Sequence, residues 1–283
     1  MSSSYVQRNQ PPGVPPLSLT GERTLPDVPE ENYWYRRHVA VYRWIAERCN
    51  GKRVVDLACG EGYGSAILAE HARRVLGVDA NPEAHEHARL KYRNQKLAFR
   101  RALIEQFDEE APYDAIVFLQ TIEHVQDADG LLDRLASLLA PNGVAYISTP
   151  NRLTLAPPGA PRSDNPWHVR EYDPVEYQEL IDRHFGSVEL LGLHHAGKLR
   201  LHQVAVRIGW DRVHRVLGLT DRFYGWFVPA IREADFALRR GDLDSALDFL
   251  AVCRVGTTRD SVAGEAGAGG SHDFRGASGA SGL

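Results

Sequence analysis

Residues 54–64 read VVDLACGEGYG: a β-rich apolar run carrying an acid, then a glycine turn that opens into a helix-forming segment. Glycines at 60 and 62 let the backbone turn sharply and let a ligand approach with no Cβ in the way. Nineteen residues after Gly60, at the end of the next β-rich run, stands Asp79, where an acidic side chain can accept hydrogen bonds from ribose hydroxyls. Outward from this corner the chain alternates. Short β-rich runs at 53–57, 74–79, 97–100, 113–119 and 143–149 are bounded by polar or Gly/Pro residues, and helix-length segments at 64–71, 82–94 and 128–139 separate them. Leu131, Leu132, Leu135, Leu138 and Leu139 fall on one face of the last segment, and Pro82 suits the first turn of its helix. The pattern predicts an α/β protein with a Rossmann-like doubly wound sheet, its parallel strands covered on both faces.

A helix at 174–184, a sixth strand at 187–192 and a seventh at 247–255 continue the expected sheet, and the amphipathic stretch 35–48 is expected to pack ahead of the first strand. The long interval 194–245 holds mixed aromatic and basic residues and reads as an inserted helical cap over the active-site mouth, because long structureless loops are uncommon. Residues 1–16, with two Pro-Pro pairs, and the Gly/Ser/Ala-rich 256–283 have too little apolar surface to offset ordering entropy. Both are expected to be disordered, leaving 17–255 as the folded domain.

Composition narrows the class. The chain has 283 residues, 43% of them hydrophobic, enough for a substantial core. A formal charge of -4 gives no chain-wide basic footprint, so nucleic acid is not an expected partner and a dedicated binder of anionic membranes is disfavoured, although a local basic patch survives that test. Cys49, Cys59 and Cys253 are too few and too far apart for a disulfide framework. No stretch approaches the roughly 18 apolar residues of a membrane span and the start shows no export signal, so the cytoplasm is the expected compartment.

The glycine corner with Asp79 also describes a dinucleotide site. Asp56 separates the readings: at the strand end it would face a pyrophosphate unfavourably, but it suits the ammonium of a methionine moiety, and S-adenosylmethionine (SAM) is a cation without phosphates. The G-x-G-x-x-G spacing of a nicotinamide site is also missing its third glycine. The chain resembles the class I SAM-dependent methyltransferases, whose first motif is matched by Asp56, Gly60 and Gly62, with Ala58 where the family usually has glycine. The resemblance runs over about residues 50–192, through Asp79, Gln120 in FLQTIEHV, and the turn Pro141, Asn142 and Gly143. It implies that Asp56, Ala58, Gly60, Gly62, Asp79 and Gln120 hold the cofactor. In the loop RALIEQ (101–106), where many relatives carry an acid toward adenine, Ala102 and Leu103 stand instead, so backbone or apolar contacts are expected there.

Methyl transfer from a sulfonium is an in-line displacement whose leaving group needs no acid, so alignment is most of the work. A hydroxyl acceptor additionally needs a base or a metal near its oxygen. Three clusters could supply it. Glu123 and His124 follow the fourth strand, with His124 as base and Glu123 as its support or a cation ligand, or else as a pair that caps the next turn. After the fifth strand come Thr149, Pro150, Asn151 and Arg152, then Asn165, Pro166, Trp167, His168, Val169, Arg170 and Glu171, in which His168 and Glu171 could play the same two parts or simply pack a loop. His194, His195, Lys198, Arg200 and His202 lead into the cap, but their spacing matches no zinc site and solvent-facing side chains explain them better.

Residues 19–38, LTGERTLPDVPEENYWYRRH, form a polar and aromatic arm. LTGERT, ENYW, RRH, CGEGYG, IEH, STPNR, NP-x-H and LDSALDFLA, spread over about 17–254, resemble bacterial methyltransferases of sugars and polysaccharides, above all the actinobacterial 1-O-methyltransferases of methylmannose polysaccharide assembly. That resemblance implies a small sugar or oligosaccharide substrate, a short 3-O-methylated mannoside methylated at its anomeric hydroxyl, and it leaves Mg2+ and a homodimer open. Tyr33, Trp34, Trp167 and Trp226 are candidate sugar-stacking surfaces. A methyltransferase of another small molecule or glycan is the alternative within the class, and a catalytically silent SAM-binding partner protein is the alternative of another class; the polar density at Glu123, His124, His168 and Glu171 argues against the latter.

Overall fold

The computed structural model describes residues 5–21, 23–107, 112–157 and 159–256. Its strands are β1 (Arg53–Leu57), β2 (Arg74–Asp79), β3 (Leu97–Arg101), β4 (Tyr113–Leu119), β5 (Leu139–Pro150), β6 (Ser187–His195), β7 (Phe236–Arg239) and β8 (Asp248–Arg254). Helices α1 (Asn32–Ala46), α2 (Tyr63–His71), α3 (Pro82–Lys91), α4 (Ala128–Leu138), α5 (Arg152–Leu155), α6 (Pro174–Asp182), α7 (Gly197–Arg207), α8 (Trp210–Val216) and α9 (Thr220–Phe227) surround them. The sheet runs β3-β2-β1-β4-β5-β8-β6-β7. Pairs among β1 to β5 are parallel, and β8 is antiparallel to both β5 and β6. The chain leaves β1 toward β2 and β3, then returns to the other side of β1 as β4, so a crevice opens at the carboxyl ends of β1 and β4, where doubly wound sheets bind ligands.

Strand pleating sends neighbouring side chains to opposite faces. Val54 and Val117 thus join one core layer with Tyr42, Ile45 and Leu68 under α1 and α2. Val55, Ile116 and Phe118 join the other, with Leu132, Leu135 and Tyr177 under α4 and α6. Local signals fix where helices begin. Asn81 accepts from the Glu83 and Ala84 amides at 3.0 and 2.9 Å ahead of Pro82, and Asp173 forms a capping box with Glu176.

Three expectations change. The sheet has eight strands rather than seven, because β7 arises inside the interval 194–245 expected to be a cap and pairs with β6 at residues 192–195. β5 begins at Leu139, earlier than expected, with a register shift against β4 between Tyr113 and Ala115. Residues 5–16, expected to be disordered, fold back: Val6 bridges Ser18, Val14 and Leu17 are buried, and Gln7 donates to Glu61 Oε1 at 3.1 Å. A buried carboxylate supplied the anchor that a composition argument does not count. The expectations for residues 1–4 and 257–283 lie outside the described residues.

The segment 197–227 is helical as expected, but it does not cover the crevice. It and the turn after it brace α1 instead, where Asn32 donates to the carbonyls of Val228 and Ile231 at 2.8 and 3.0 Å and Arg36 pairs with Glu233. No helix among the described residues is long and apolar enough to cross a membrane.

Candidate active site

At the β1 corner the backbone enters the left-handed region at Ala58 (φ 55°), and at the tip of β4 it does so again at Gln120 (φ 51°). Two non-glycine residues in that region flank the switch point, as strained backbone often does at ligand sites. Ala58 thus occupies a conformation that favours glycine. Gln120 is held by Ser148 of β5, which accepts from its amide N–H and from its Nε2. The Gly60 N–H donates to Asp79 Oδ2 at 2.8 Å, and Oδ1 accepts from Asn81 N at 2.8 Å. Each carboxylate oxygen keeps a second acceptor position, and Asp79 lines the cavity described below.

The two motif glycines do different work. A Cβ on Gly60 would meet nothing within 4 Å, so the space over it is open, and Gly60 lines the cavity described below, whereas one on Gly62 would lie 2.8 Å from the Ala88 Cβ and 3.1 Å from the Phe99 ring. Gly62 therefore serves helix packing. Gly62→Ala is expected to cost about 2 to 3 kcal/mol through overpacking and a φ of 96°, whereas Gly60→Ala should cost about 1 kcal/mol and lose cofactor affinity. Thermal melts and SAM titrations of both variants check this; equal loss of melting temperature would refute the division.

Asp56 is fully buried and does not line the cavity. Ser65 Oγ donates to Oδ2 at 2.6 Å and Tyr42 OH to Oδ1 at 3.2 Å, with Tyr42 itself on the cavity wall. The direct contact with a ligand ammonium expected of Asp56 is replaced by an anchor between β1, α1 and α2. Burial pushes its carboxyl up to about 7, against the lowering effect of the Ser65 and Tyr42 bonds. The folded protein therefore keeps a proton that the unfolded chain releases near pH 4, so this one carboxyl's contribution to stability falls by about 1.4 kcal/mol per pH unit between pH 4 and 7 and then levels off. Asp56→Asn is expected to flatten that slope in melts taken across the window; an unchanged slope would assign it to another group.

Glu61, at an unspecified position of the motif, was not a candidate from sequence. It accepts from His87 Nε2 at 2.9 Å, Lys91 Nζ at 2.7 Å and Tyr92 OH at 2.6 Å besides Gln7. Burial alone would raise its carboxyl, but these donors hold it below the usual range. Glu61 thus ties residues 5–21 to α3.

The crevice is a cavity of about 530 Å3 whose walls come from the glycine corner, Asp79 to Asn81, Leu119 to Thr121, Glu123, His124, Asn165, His168 and the arm residues Leu19, Thr24, Trp34 and His38. The arm is the cover that the cap was expected to be: no residue of 194–245 lines this cavity or the adjoining one of about 680 Å3. That second cavity shares Ala58, Asp79 and Thr121 with the first and contains Leu103. Ala102 lines neither, and its N–H donates to the Asp79 carbonyl at 3.2 Å.

Two of the three acceptor clusters meet here. The Glu123 carbonyl accepts from the Val169 and Arg170 amides at 2.8 and 3.1 Å, which lays the 165–171 loop against residues 122–124. His124 Nδ1 donates to the Trp167 carbonyl at 2.9 Å, so in the neutral ring the lone pair is on Nε2, 4.0 Å from Glu123 Oε1. Glu123 is buried and accepts from Thr149 Oγ1 at 3.1 Å. Burial pushes its carboxyl up to about 8. His168 stands 5.0 Å from the His124 ring, but Nδ1 donates to Glu171 Oε1 at 2.7 Å and Nε2 accepts from Asn165 Nδ2 at 3.0 Å. Both its nitrogens are engaged, and Glu171, held by the Ser163 amide at 2.8 Å, orients His168 from outside the cavity wall.

Glu123, His124 and His168 bring one ligand atom each within 4.8 Å of one another. Two imidazoles and one carboxylate suit a transition metal; Mg2+ takes oxygen ligands, so this donor set does not fit it. The third cluster does not assemble: His195 pairs with Tyr33 OH, Lys198 with Asp235, and His202 with Tyr224 OH. Among the aromatic candidates Trp34 lines the cavity, Tyr33 packs against Phe236, and Trp226 stands out on α9 away from it.

His38 and Arg37 line the cavity and were missed as site residues, since nothing in an arm sequence says which side faces a ligand. His38 Nδ1 meets Tyr63 OH at 3.0 Å, and burial pushes its imidazole down to about 4. Arg37, itself buried, donates to Asp248 Oδ2 at 2.6 Å and to the Leu247 carbonyl at 2.7 Å. Asn151 Nδ2 donates to the carbonyls of Leu243, Asp244 and Ala246. The RRH, STPNR and LDSALDFLA segments are therefore one joint, fastening the arm and the β5 loop to β8.

Comparison with known proteins agrees with this architecture. The profile of the methyltransferase domain family matches residues 33–194. A probable S-adenosylmethionine-dependent methyltransferase of Mycolicibacterium smegmatis is 36% identical over 247 residues, spanning 83% of this chain and 94% of that protein. A ubiquinone biosynthesis O-methyltransferase of Xylella fastidiosa is 38% identical over 111 residues, 38% of this chain and 45% of that protein. The crystal structure of a SAM-dependent methyltransferase from Mesorhizobium loti shares the fold, with a TM-score of 0.53 at 17% identity over 77% of this chain and 98% of that one. The chain belongs to the class I SAM-dependent methyltransferases.

Proposed function

We propose that the protein methylates a hydroxyl of a small sugar or oligosaccharide, with the anomeric hydroxyl of a short 3-O-methylated mannoside as the acceptor its motifs favour. One observation carries this reading: an imidazole whose Nδ1 is pinned by the Trp167 carbonyl and whose Nε2 lies beside the buried Glu123, on the wall of the cavity that Gly60 and Asp79 also line. A carbon or amine nucleophile needs little beyond alignment, but a hydroxyl needs a proton acceptor in place.

SAM, when bound, supplies a methyl carbon on a sulfonium whose sulfur leaves with the bonding pair. Asp79, itself held by the Gly60 N–H, would orient its ribose end, and Gln120 closes the cavity from β4. His124 Nε2 takes the proton of the acceptor hydroxyl as that oxygen forms its bond to the methyl carbon, and the Glu123 carboxyl steadies the imidazolium. Trp34, 40% exposed on the same wall, offers an apolar face to a pyranose ring. The arm over the cavity excludes water.

Incubation with methyl-labelled SAM and a panel of partially methylated mannosides and glucosides, with and without EDTA, tests acceptor and metal together. Label is expected in the mannosides, unchanged by EDTA. Cofactor binding with no transfer to any sugar would overturn the assignment of a sugar acceptor.

A further inference from the structure

The cap has an outer face that the fold does not use. Its inner side is an aromatic stack: Phe223 lies 5.2 Å from Phe227 and 6.0 Å from His214, and Leu199, His214 and Phe227 are buried. The opposite side is apolar as well. Leu201 and Val204 on α7 and Ile208 at its C-terminal end recur at helical spacing with exposures of 73%, 51% and 83%, and Val216, Leu217 and Trp226 follow at 86%, 61% and 71%. A water-facing surface gains nothing from such a stripe, and a concentration of this kind marks an interaction surface.

Charge identifies the partner. Residues 197–227 carry six Lys or Arg against two Asp, within a chain of formal charge -4. Among the described residues only Lys198 and Arg215 of these cations are in ion pairs, with Asp235 and Asp211. Apolar residues interleaved with cations, and a tryptophan at the edge, are the chemistry of an interfacial helix lying on anionic lipid. A second copy is a poorer match, because two positively charged caps repel each other. No helix among the described residues is long and apolar enough to span a bilayer, so the contact is with the surface.

We propose that the α7–α9 face docks the protein on an anionic phospholipid surface. The cap lines neither cavity, so docking leaves the arm-covered site accessible. Co-sedimentation of the full chain with vesicles tests it. Binding is expected to equimolar phosphatidylglycerol and phosphatidylcholine, and not to phosphatidylcholine alone. Added salt should weaken it, because the attraction is screened beyond about 8 Å at physiological ionic strength. Arg207→Gln with Arg212→Gln should weaken it by about 25-fold, roughly fivefold per charge. Ile208→Ser with Trp226→Ser should weaken it comparably while SAM binding stays unchanged, which shows that the variants are folded. Wild type remaining in the supernatant with anionic vesicles, or variants binding as wild type does, would overturn the proposal. So would sedimentation velocity showing self-association that Ile208→Ser abolishes in a protein that binds no vesicle, since that makes a second copy the occupant.

Discussion

Asp79→Ala is expected to lower affinity for SAM and for its demethylated product by about 100-fold or more. The carboxylate can accept from two ribose hydroxyls, and hydrogen bonds to a charged group contribute about 1.5 to 3 kcal/mol each. Losing both amounts to at least two decades. The same oxygens hold the Gly60 N–H and the Asn81 N–H at 2.8 Å, so the variant also loosens the glycine corner. Asp79→Asn separates the two effects: its carbonyl oxygen can keep the Gly60 bond while its amide cannot accept from a hydroxyl, and an intermediate loss is expected. Isothermal titration with the demethylated product reads both. A loss below about tenfold for Asp79→Ala would remove Asp79 from the ribose site.

The features legible in the sequence are those that local chemistry dictates. Pro82 after Asn81, and the glycine turn after a β-branched run, place the corner because few residues tolerate those backbone conformations. Asp79 follows from strand spacing. What was not legible depends on contacts between distant residues. Asp56 reads as a ligand group until Tyr42 and Ser65, 14 and 9 residues away in sequence, take up its oxygens. The cap reads as a lid because its aromatics are not otherwise accounted for, and its placement rests on Asn32, 196 residues from Val228. The short run FALR of β7 carries too little period to announce a strand, and it is held by pairing with β6. The 5–21 segment is polar in composition, yet Gln7 on a buried glutamate, the Val6–Ser18 bridge and the burial of Val14 and Leu17 hold it. His168 and Glu171 read either as base and support or as loop packing, and the pairing of His168 Nδ1 with Glu171 is a contact that their spacing permits without fixing.

His124→Ala is expected to leave the SAM dissociation constant unchanged and to lower kcat by about 100-fold to 10,000-fold, the usual contribution of a positioned general base. The other imidazoles on the cavity wall are poor substitutes. His168 Nε2 already accepts from Asn165, and burial holds His38 near 4, too weakly basic to take a hydroxyl proton efficiently at neutral pH. Glu123 adds a pH signature. Its carboxyl, pushed up to about 8, is mostly protonated at pH 7 and becomes an anion as pH rises through that value. An anion 4.0 Å from His124 Nε2 favours the imidazolium formed during transfer, so kcat should climb through about pH 8. Glu123→Gln fixes the neutral state and should abolish that climb while retaining most of the rate at pH 7, whereas His124→Ala lowers the rate at every pH. Steady-state rates from pH 6 to 9 for the three proteins, alongside SAM titrations, distinguish these cases. A His124→Ala variant with an intact rate would end its assignment as base, and an unaltered pH climb in Glu123→Gln would assign the titration to another group.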